Sequence, residues 1–289
     1  MVFGQWLVKR GPFWILFMFI KIIILIIWRF WIGIEFLRYW RFIKTIHLSE
    51  ELIVIINFIR KKMFDKDKHK IIMLRVLRQI YKDSYLGKRL GFKGGTMAFL
   101  FYGLPRMSVD LDFDLLMNSQ EYLILDKLEK ILFELGEVKE KIIKKNTLFL
   151  LLDYGFEERK LKVEIRRKRT KTRFILRDYL GISMLVMNRG AMVASKLLAL
   201  VDRKKLANRD IFDLWFFLKN DWQIDEDLLW QEAKTKKEVL IKKAIVKIKK
   251  VKDNELMFGL GDLLDNKTKD WVRKNLKKEL LFNLRLLIR

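Results

Sequence analysis

The chain has 289 residues, enough for one large domain or two modest ones with a proper core. With 60 Lys and Arg against 35 Asp and Glu it carries a formal charge of +25, the balance of a protein that meets a polyanion: nucleic acid, a nucleotide or an anionic membrane face. There is no cysteine and only two histidines, His47 and His69, which excludes disulfides, thiolate zinc sites and cysteine nucleophiles and argues against imidazole-based schemes, so chemistry must run on carboxylates, Lys, Arg, hydroxyls, backbone amides and bound metal.

Residues 1–48 differ from the rest. They hold seven basic residues against the single acid Glu35, and most of the tryptophans. From Gly11 to Trp28 only Lys21 interrupts an apolar run, and about 18–20 apolar residues suffice to cross a bilayer. The apolar gain outweighs one central lysine on insertion scales, and no small-residue cleavage site follows. Two readings stay open for this extension: a membrane segment, with association through residues 11–40, or a start placed upstream of the working protein. Without it the chain keeps a charge of +19, so the basic character belongs to the body.

Ser49-Glu50-Glu51 is a helix start, with a hydroxyl cap and acids in the first turn, and apolar spacing continues through Ile59. A second helix is predicted over Lys68–Tyr81. A short strand at Phe92-Lys93, a turn at Gly94-Gly95 and a helix from Thr96 to Tyr102 come next. Ser108–Leu115 has period two: Val109, Leu111, Phe113 and Leu115 face one way, and Asp110, Asp112 and Asp114 the other. A helix over Gln120–Leu135 and strands over Leu148–Asp153 and Lys160–Arg166 follow. From Met192 everything reads as helix: Met192–Leu206, then Arg209–Leu218 capped by Asn208, then a lysine-rich helical remainder from 221. The outline is α+β: helices, a small mixed sheet with flanking helices, then a helical C-terminal part. The expected parts are residues 1–48, 49–190 and 191–289.

Alternate carboxylates on one strand repel, and a divalent cation resolves the repulsion. Mg²⁺ prefers one or two carboxylates plus phosphate oxygens, so Asp110 and Asp112 form a candidate site. Glu164, on a strand whose apolar residues Leu161, Val163 and Ile165 face away from it, is a third candidate ligand or a partner of Lys162 or Arg166. Glycines let a backbone approach an anion, and a helix start offers free N–H groups to it. Gly94-Gly95-Thr96 followed by the acidic strand therefore supplies both halves of a metal–nucleotide site. Lys196, in an apolar helix, either snorkels or reaches a triphosphate. Arg203 lies on the same helical face, and Asp210 and Asp213 lie one turn apart in the next helix, open to ion pairing.

These residues resemble the AbiEii/AbiGii-type nucleotidyltransferases, toxin components of type IV toxin–antitoxin and phage-abortive-infection systems. The resemblance runs from about Leu90 to Lys219. It rests on Phe92-Lys93-Gly94-Gly95-Thr96, on Leu104-Pro105-Arg106-Met107-Ser108-Val109-Asp110-Leu111-Asp112, on the Glu164 strand, on Lys196-Leu197 with Arg203, and on Arg209-Asp210-Ile211-Phe212-Asp213. It implies a DNA polymerase β-like nucleotidyltransferase core followed by a helical part that completes the active site. By resemblance Gly94, Gly95 and Thr96 hold the triphosphate, Ser108 sits beside the nucleotide, and Asp110 and Asp112 carry Mg²⁺ or Mn²⁺. Lys196 and Asp210 match later active-site positions, and Arg203 joins the nucleotide-binding set. The implied substrate is an NTP, the implied acceptor the 3′ end of tRNA or another RNA, the implied partner an antitoxin, and the implied compartment the cytoplasm. The rival readings are a metal-dependent nuclease built on the same acids, a non-enzymatic basic protein binding nucleic acid or a membrane surface, and a transferase that modifies a protein or small molecule.

Overall fold

The computed structural model describes residues 66–117, 120–155, 159–167 and 173–288. The expectations placed on residues 1–48, and the helix start at Ser49, lie outside the described residues.

Helix α1 (Lys66–Lys82) begins with Asp67 and ends with Lys82, each charge complementing the helix dipole at its end. Its Ile72, Met73, Val76, Leu77 and Ile80 are buried at helical spacing. Asp83 then caps the short α2 (Ser84–Gly87), accepting from the Tyr85 and Leu86 N–H groups. The chain continues through β1 (Leu90–Lys93), α3 (Gly94–Tyr102), β2 (Asp110–Leu115), α4 (Glu121–Phe133), β3 (Glu137–Ile143), β4 (Thr147–Asp153), β5 (Leu161–Arg166), β6 (Phe174–Tyr179) and β7 (Ile182–Met187). The helical part consists of α5 (Arg189–Asp202), α6 (Asn208–Lys219), α7 (Glu226–Ala233), α8 (Lys237–Lys250), α9 (Asn266–Trp271), one π turn (Val272–Leu276) and α10 (Lys277–Leu286).

Among the described residues seven strands form one mixed sheet in the order β3-β4-β5-β2-β1-β7-β6. β2 lies near its centre, antiparallel to β1 and parallel to β5. β1 is parallel to β7 on its other side. Leu111 and Phe113 of β2 and Leu161, Val163 and Ile165 of β5 are fully buried, as their alternation requires. Phe92 and Phe113 meet across β1 and β2 with centroids 5.4 Å apart. Burying a side chain of this size contributes about 1.5–3 kcal/mol. One continuous apolar core joins the sheet to the helical part, with Phe212, Phe217, Leu240, Ile241 and Leu280 in the same cluster as Leu111 and Val163.

Four expectations need correction. First, α3 starts at Gly94, so both glycines belong to its first turn rather than to a separate one. Second, strands β3, β6 and β7 fall where no strand was expected. β3 is a charged edge strand with almost no apolar alternation, and β6 and β7 form a hairpin turning at Leu180-Gly181, both with positive φ (50° and 73°). Third, the C-terminal region is broken rather than continuous. α7 ends at Lys234 in the left-handed conformation, and between α8 and α9 only two 3₁₀ turns occur, Asp253–Glu255 and Gly261–Leu263. Fourth, Asn208 does not cap α6. Its side-chain amide instead donates to the carbonyls of Glu255 (2.7 Å) and Phe258 (3.2 Å), which ties that irregular segment to the helix start.

Candidate active site

The strand register sets the site. Lys93, the last residue of β1, lies opposite Asp112 of β2, and Asp112 lies opposite Glu164 of β5. The chain leaves β1 at Lys93 and turns into α3 through Gly94, whose φ is +81°. A Cβ at Gly94 would stand 2.3 Å from Asp112 Oδ2. One at Gly95 would stand 2.5 Å from Arg106 Nη2 and 2.8 Å from Ser108 Oγ. Both glycines are therefore required by close approach, and they bring the start of α3 against the acids. No side chain caps that helix start, so its first N–H groups remain available to an anion.

Thr96 is fully buried, and its hydroxyl donates to the Asp110 carbonyl. It fastens α3 to β2, so any part in anion binding falls to its backbone rather than its hydroxyl. Ser108 is buried beside Gly95. Asp114, the third acid of the strand, is 2% exposed and paired with Lys93, which removes it from the candidate ligand set.

Asp110 lies 3.8 Å from Arg209 Nη1. Burial, together with repulsion from Asp110 and Glu164, pushes the Asp112 carboxyl up to about 6 despite the nearby Lys93 and Lys196. A partly buried carboxylate facing two further acids fits a divalent cation, which would relieve that repulsion. Among the described residues no group of three or more His, Asp or Glu side chains is gathered tightly enough to hold a metal on its own. Two carboxylates completed by phosphate oxygens is the arrangement Mg²⁺ accepts.

The helical part supplies a buried ionic network. Arg106 makes a bidentate pair with Asp213, Nε to Oδ1 at 2.5 Å and Nη2 to Oδ2 at 2.6 Å. Lys196 Nζ lies 2.7 Å from Asp210 Oδ1 and 2.8 Å from Asp213 Oδ2, and Arg203 Nη1 lies 3.3 Å from Asp210 Oδ2. Burial would raise the Asp213 carboxyl, but Arg106 and Lys196 outweigh it and hold the group below its ordinary range. Burial likewise works against the charges of Arg106 and Lys196, and the aspartates outweigh it. The structure thus brings Lys196, Arg203 and Asp210 together. It also gives Lys196 two carboxylate partners, so its charge is largely spoken for.

Sequence reasoning gave no function to Arg106 or Asp213, although both fall in the quoted motifs. The available signal was the Asp-x-x-Asp spacing of α6 within an otherwise apolar helix. That spacing puts two acids on the face turned to the core, where each needs a cation. His69 stands behind the acidic strand, with Nε2 2.9 Å from the Val109 carbonyl and Nδ1 against the Tyr154 hydroxyl. Burial holds its pKa below the usual imidazole value.

Over residues 75–279 the chain matches the family model described as nucleotidyl transferase AbiEii toxin, Type IV TA system. This is more than half of its length, and the chain belongs to that family. Membership makes it a nucleotidyltransferase and a toxin-type component, with an NTP as substrate and an antitoxin as partner. No curated protein sequence matches it. Among solved structures it is similar to JHP933 from Helicobacter pylori, with 19% identity, a TM-score of 0.49 and coverage of 77% of this chain and 91% of that one. A putative nucleotidyltransferase from H. pylori matches with 21% identity, a TM-score of 0.48 and coverage of 76% and 93%. The antibiotic-resistance factor ANT(2'')-Ia matches with 13% identity, a TM-score of 0.38 and coverage of 54% and 85%.

Proposed function

We propose that this AbiEii-family nucleotidyltransferase moves a nucleotidyl group from an NTP to a hydroxyl of RNA, with the 3′ end of tRNA as the acceptor, assisted by a divalent cation and acting in the cytoplasm. The observation that carries the reading is the approach of Gly94 to Asp112, where a single methyl group would bridge the glycine turn and the carboxylate. Groups this close together can both touch one cation-bound triphosphate.

In the reaction the acceptor oxygen bonds to the α-phosphorus, the bond from that phosphorus to the bridging oxygen of the β-phosphate breaks, pyrophosphate leaves, and the hydroxyl proton passes to solvent. Asp110 and Asp112, with Glu164 beside them, would hold Mg²⁺ or Mn²⁺, which neutralises charge on the α-phosphate and on the departing pyrophosphate. The first N–H groups of α3, at Gly94, Gly95 and Thr96, orient the phosphates in the favourable sense of the helix dipole. Ser108, beside Gly95, donates its hydroxyl to a phosphate oxygen. Arg203 and Arg209, both partly exposed and each already turned towards a site aspartate, supply positive charge. Lys196 adds to it from within the Asp210–Asp213 network. The strand-rich part to residue 190 thereby carries metal and phosphate, and the part from 191 carries the cations.

The test is incorporation of each labelled NTP into total RNA in the presence of Mg²⁺. Asp110→Ala and Asp112→Ala should each fold and each lose incorporation. Full activity in either variant, or shortening of RNA without NTP, overturns the reading. Among the described residues no helix is long and apolar enough to cross a membrane; association through residues 11–40 concerns residues outside that set.

A further inference from the structure

The irregular segment between α8 and α9 is fastened at two places to residues adjoining those of the candidate site. At the first the buried Asn208 holds the Glu255 and Phe258 carbonyls, and its chain neighbour Arg209 reaches Asp110. At the second the Met107 N–H donates to the Leu263 carbonyl at 2.9 Å, immediately before Ser108 and the acidic strand. The segment is therefore tied to the chain next to both Ser108 and Arg209.

Within it, one side chain behaves unlike its neighbours. Leu256 and Leu260 are buried in the core at 1% and 0% exposure, whereas Phe258 between them is 82% exposed. The Phe258 N–H bonds to the Glu255 carbonyl at 2.9 Å, and Gly259 follows with φ +67°. Backbone hydrogen bonds and two buried leucines thus fix the residue, and the ring is turned outward. A scattered exposed apolar side chain is ordinary. An aromatic ring whose own carbonyl is held by Asn208, the residue before the Arg209 that pairs with Asp110, has the features that single-stranded nucleotide sites use: a π face for the base and a cation for the backbone.

We propose that Phe258 is a stacking platform for a nucleobase at the mouth of the Asp110–Asp112 site. This rests on the nucleotidyl-transfer reading above and adds to it the place where a base is held. The base belongs either to the NTP or to the terminal nucleotide of the acceptor. Stacking tolerates any base, because every base has a π face, so the platform gives affinity without choosing a sequence.

The experiment measures equilibrium binding of each NTP with Mg²⁺, and separately of bulk tRNA, to full-length protein carrying Phe258→Ala, Phe258→Leu or Phe258→Trp. Phe258→Ala should weaken one of the two probes by about 5- to 150-fold. Phe258→Trp should keep or improve wild-type affinity, and Phe258→Leu should resemble the alanine variant. Loss confined to NTP assigns the base to the donor, and loss confined to tRNA assigns it to the acceptor. Melting temperatures should stay together, since the ring is exposed. Equal binding by wild type and Phe258→Ala overturns the proposal, as does wild-type affinity in Phe258→Leu, which would make the site an apolar contact for a protein partner. If the wild type binds no nucleotide at all, the transferase reading itself falls. If it binds nucleotide and incorporates label while Phe258→Ala does the same, only the platform falls.

Discussion

A methyl group placed on Gly94 would lie 2.3 Å from the Oδ2 atom of Asp112. The backbone there also has φ +81°, a conformation costly for any side chain. The bend and the carboxylate are therefore in contact, and only a residue without a side chain can stand at this position.

Gly94→Ala is therefore expected to lower nucleotide incorporation by at least about 100-fold, because the displaced turn misaligns the triphosphate. It should also cost about 1–2 kcal/mol of stability from the strained φ. Incorporation assays paired with denaturant titrations check both. Wild-type activity in this variant would separate the glycine turn from the chemistry.

The raised pKa of Asp112 has a thermodynamic sign. Its folded value, about 6, lies above the ordinary 3.8, so between those values the folded state binds more protons than the unfolded one. Stability of the metal-free protein from this group then falls as pH rises from about 4 to about 6. Asp112→Asn should remove that slope and stabilise the metal-free protein at pH 7.5 by roughly 1–3 kcal/mol. Added Mg²⁺ should raise the melting temperature of the wild type more than that of the variant. Thermal scans across pH, with and without Mg²⁺, decide it.

The same group links pH to activity. A protonated Asp112 cannot serve a cation, so the Mg²⁺ concentration needed for half-maximal incorporation should rise as pH falls below about 6. A requirement that stays flat from pH 7.5 to pH 5 would remove Asp112 from the metal set.

Asp213 stands between Arg106 and Lys196 with its side chain fully buried. Asp213→Ala leaves the buried Arg106 without its carboxylate and takes one of two partners from Lys196, and should destabilise the fold by about 3–5 kcal/mol, measurable by urea titration. Arg203→Ala touches a partly exposed pair and should cost no more than about 1 kcal/mol. Comparable losses in the two variants would contradict the burial contrast.

The exposed run Arg203-Lys204-Lys205, whose first residue pairs with Asp210, should contribute to RNA affinity through counterion release. Replacing all three with alanine is expected to lessen the slope of log K against log salt by about 2. Salt titrations of tRNA binding test this, and an unchanged slope would place the RNA on another face.

Residue patterning made part of the fold legible. β2 and β5 alternate because one face of each is buried, and α1 and α4 show the 3.6-residue spacing of half-buried helices. β3 carries no clear alternation because an edge strand with most of its side chains in solvent can be largely charged, and of Glu137–Ile143 only Val138 and Ile143 pack against the core. The β6–β7 hairpin did carry a signal, the apolar runs Phe174–Leu176 and Ile182–Met187 on either side of a polar stretch and Leu180-Gly181. A turn with both residues at positive φ usually holds Asn or Asp before Gly, however, and the leucine hid it. Asn208 looked like a cap because capping residues are polar and precede apolar helices. Its true partners, Glu255 and Phe258, lie about fifty residues away, beyond any local pattern.

The sequence by itself determined the chemistry available: carboxylates without cysteine and nearly without histidine, a glycine turn, an acidic strand and a surplus of cations. Those are properties of composition and of spacing within a few residues, where local geometry acts. Only the tertiary structure decided which groups share a ligand and which neutralise one another. Asp114 pairs with Lys93, Asp112 is left facing Glu164 and the glycines, and Asp213 joins Arg106 to Lys196. The reason is that strand register and helix packing bring distant residues within a few ångströms and remove the water between them, and the energy of a charge depends on its nearest partners and its exposure rather than on its neighbours along the chain.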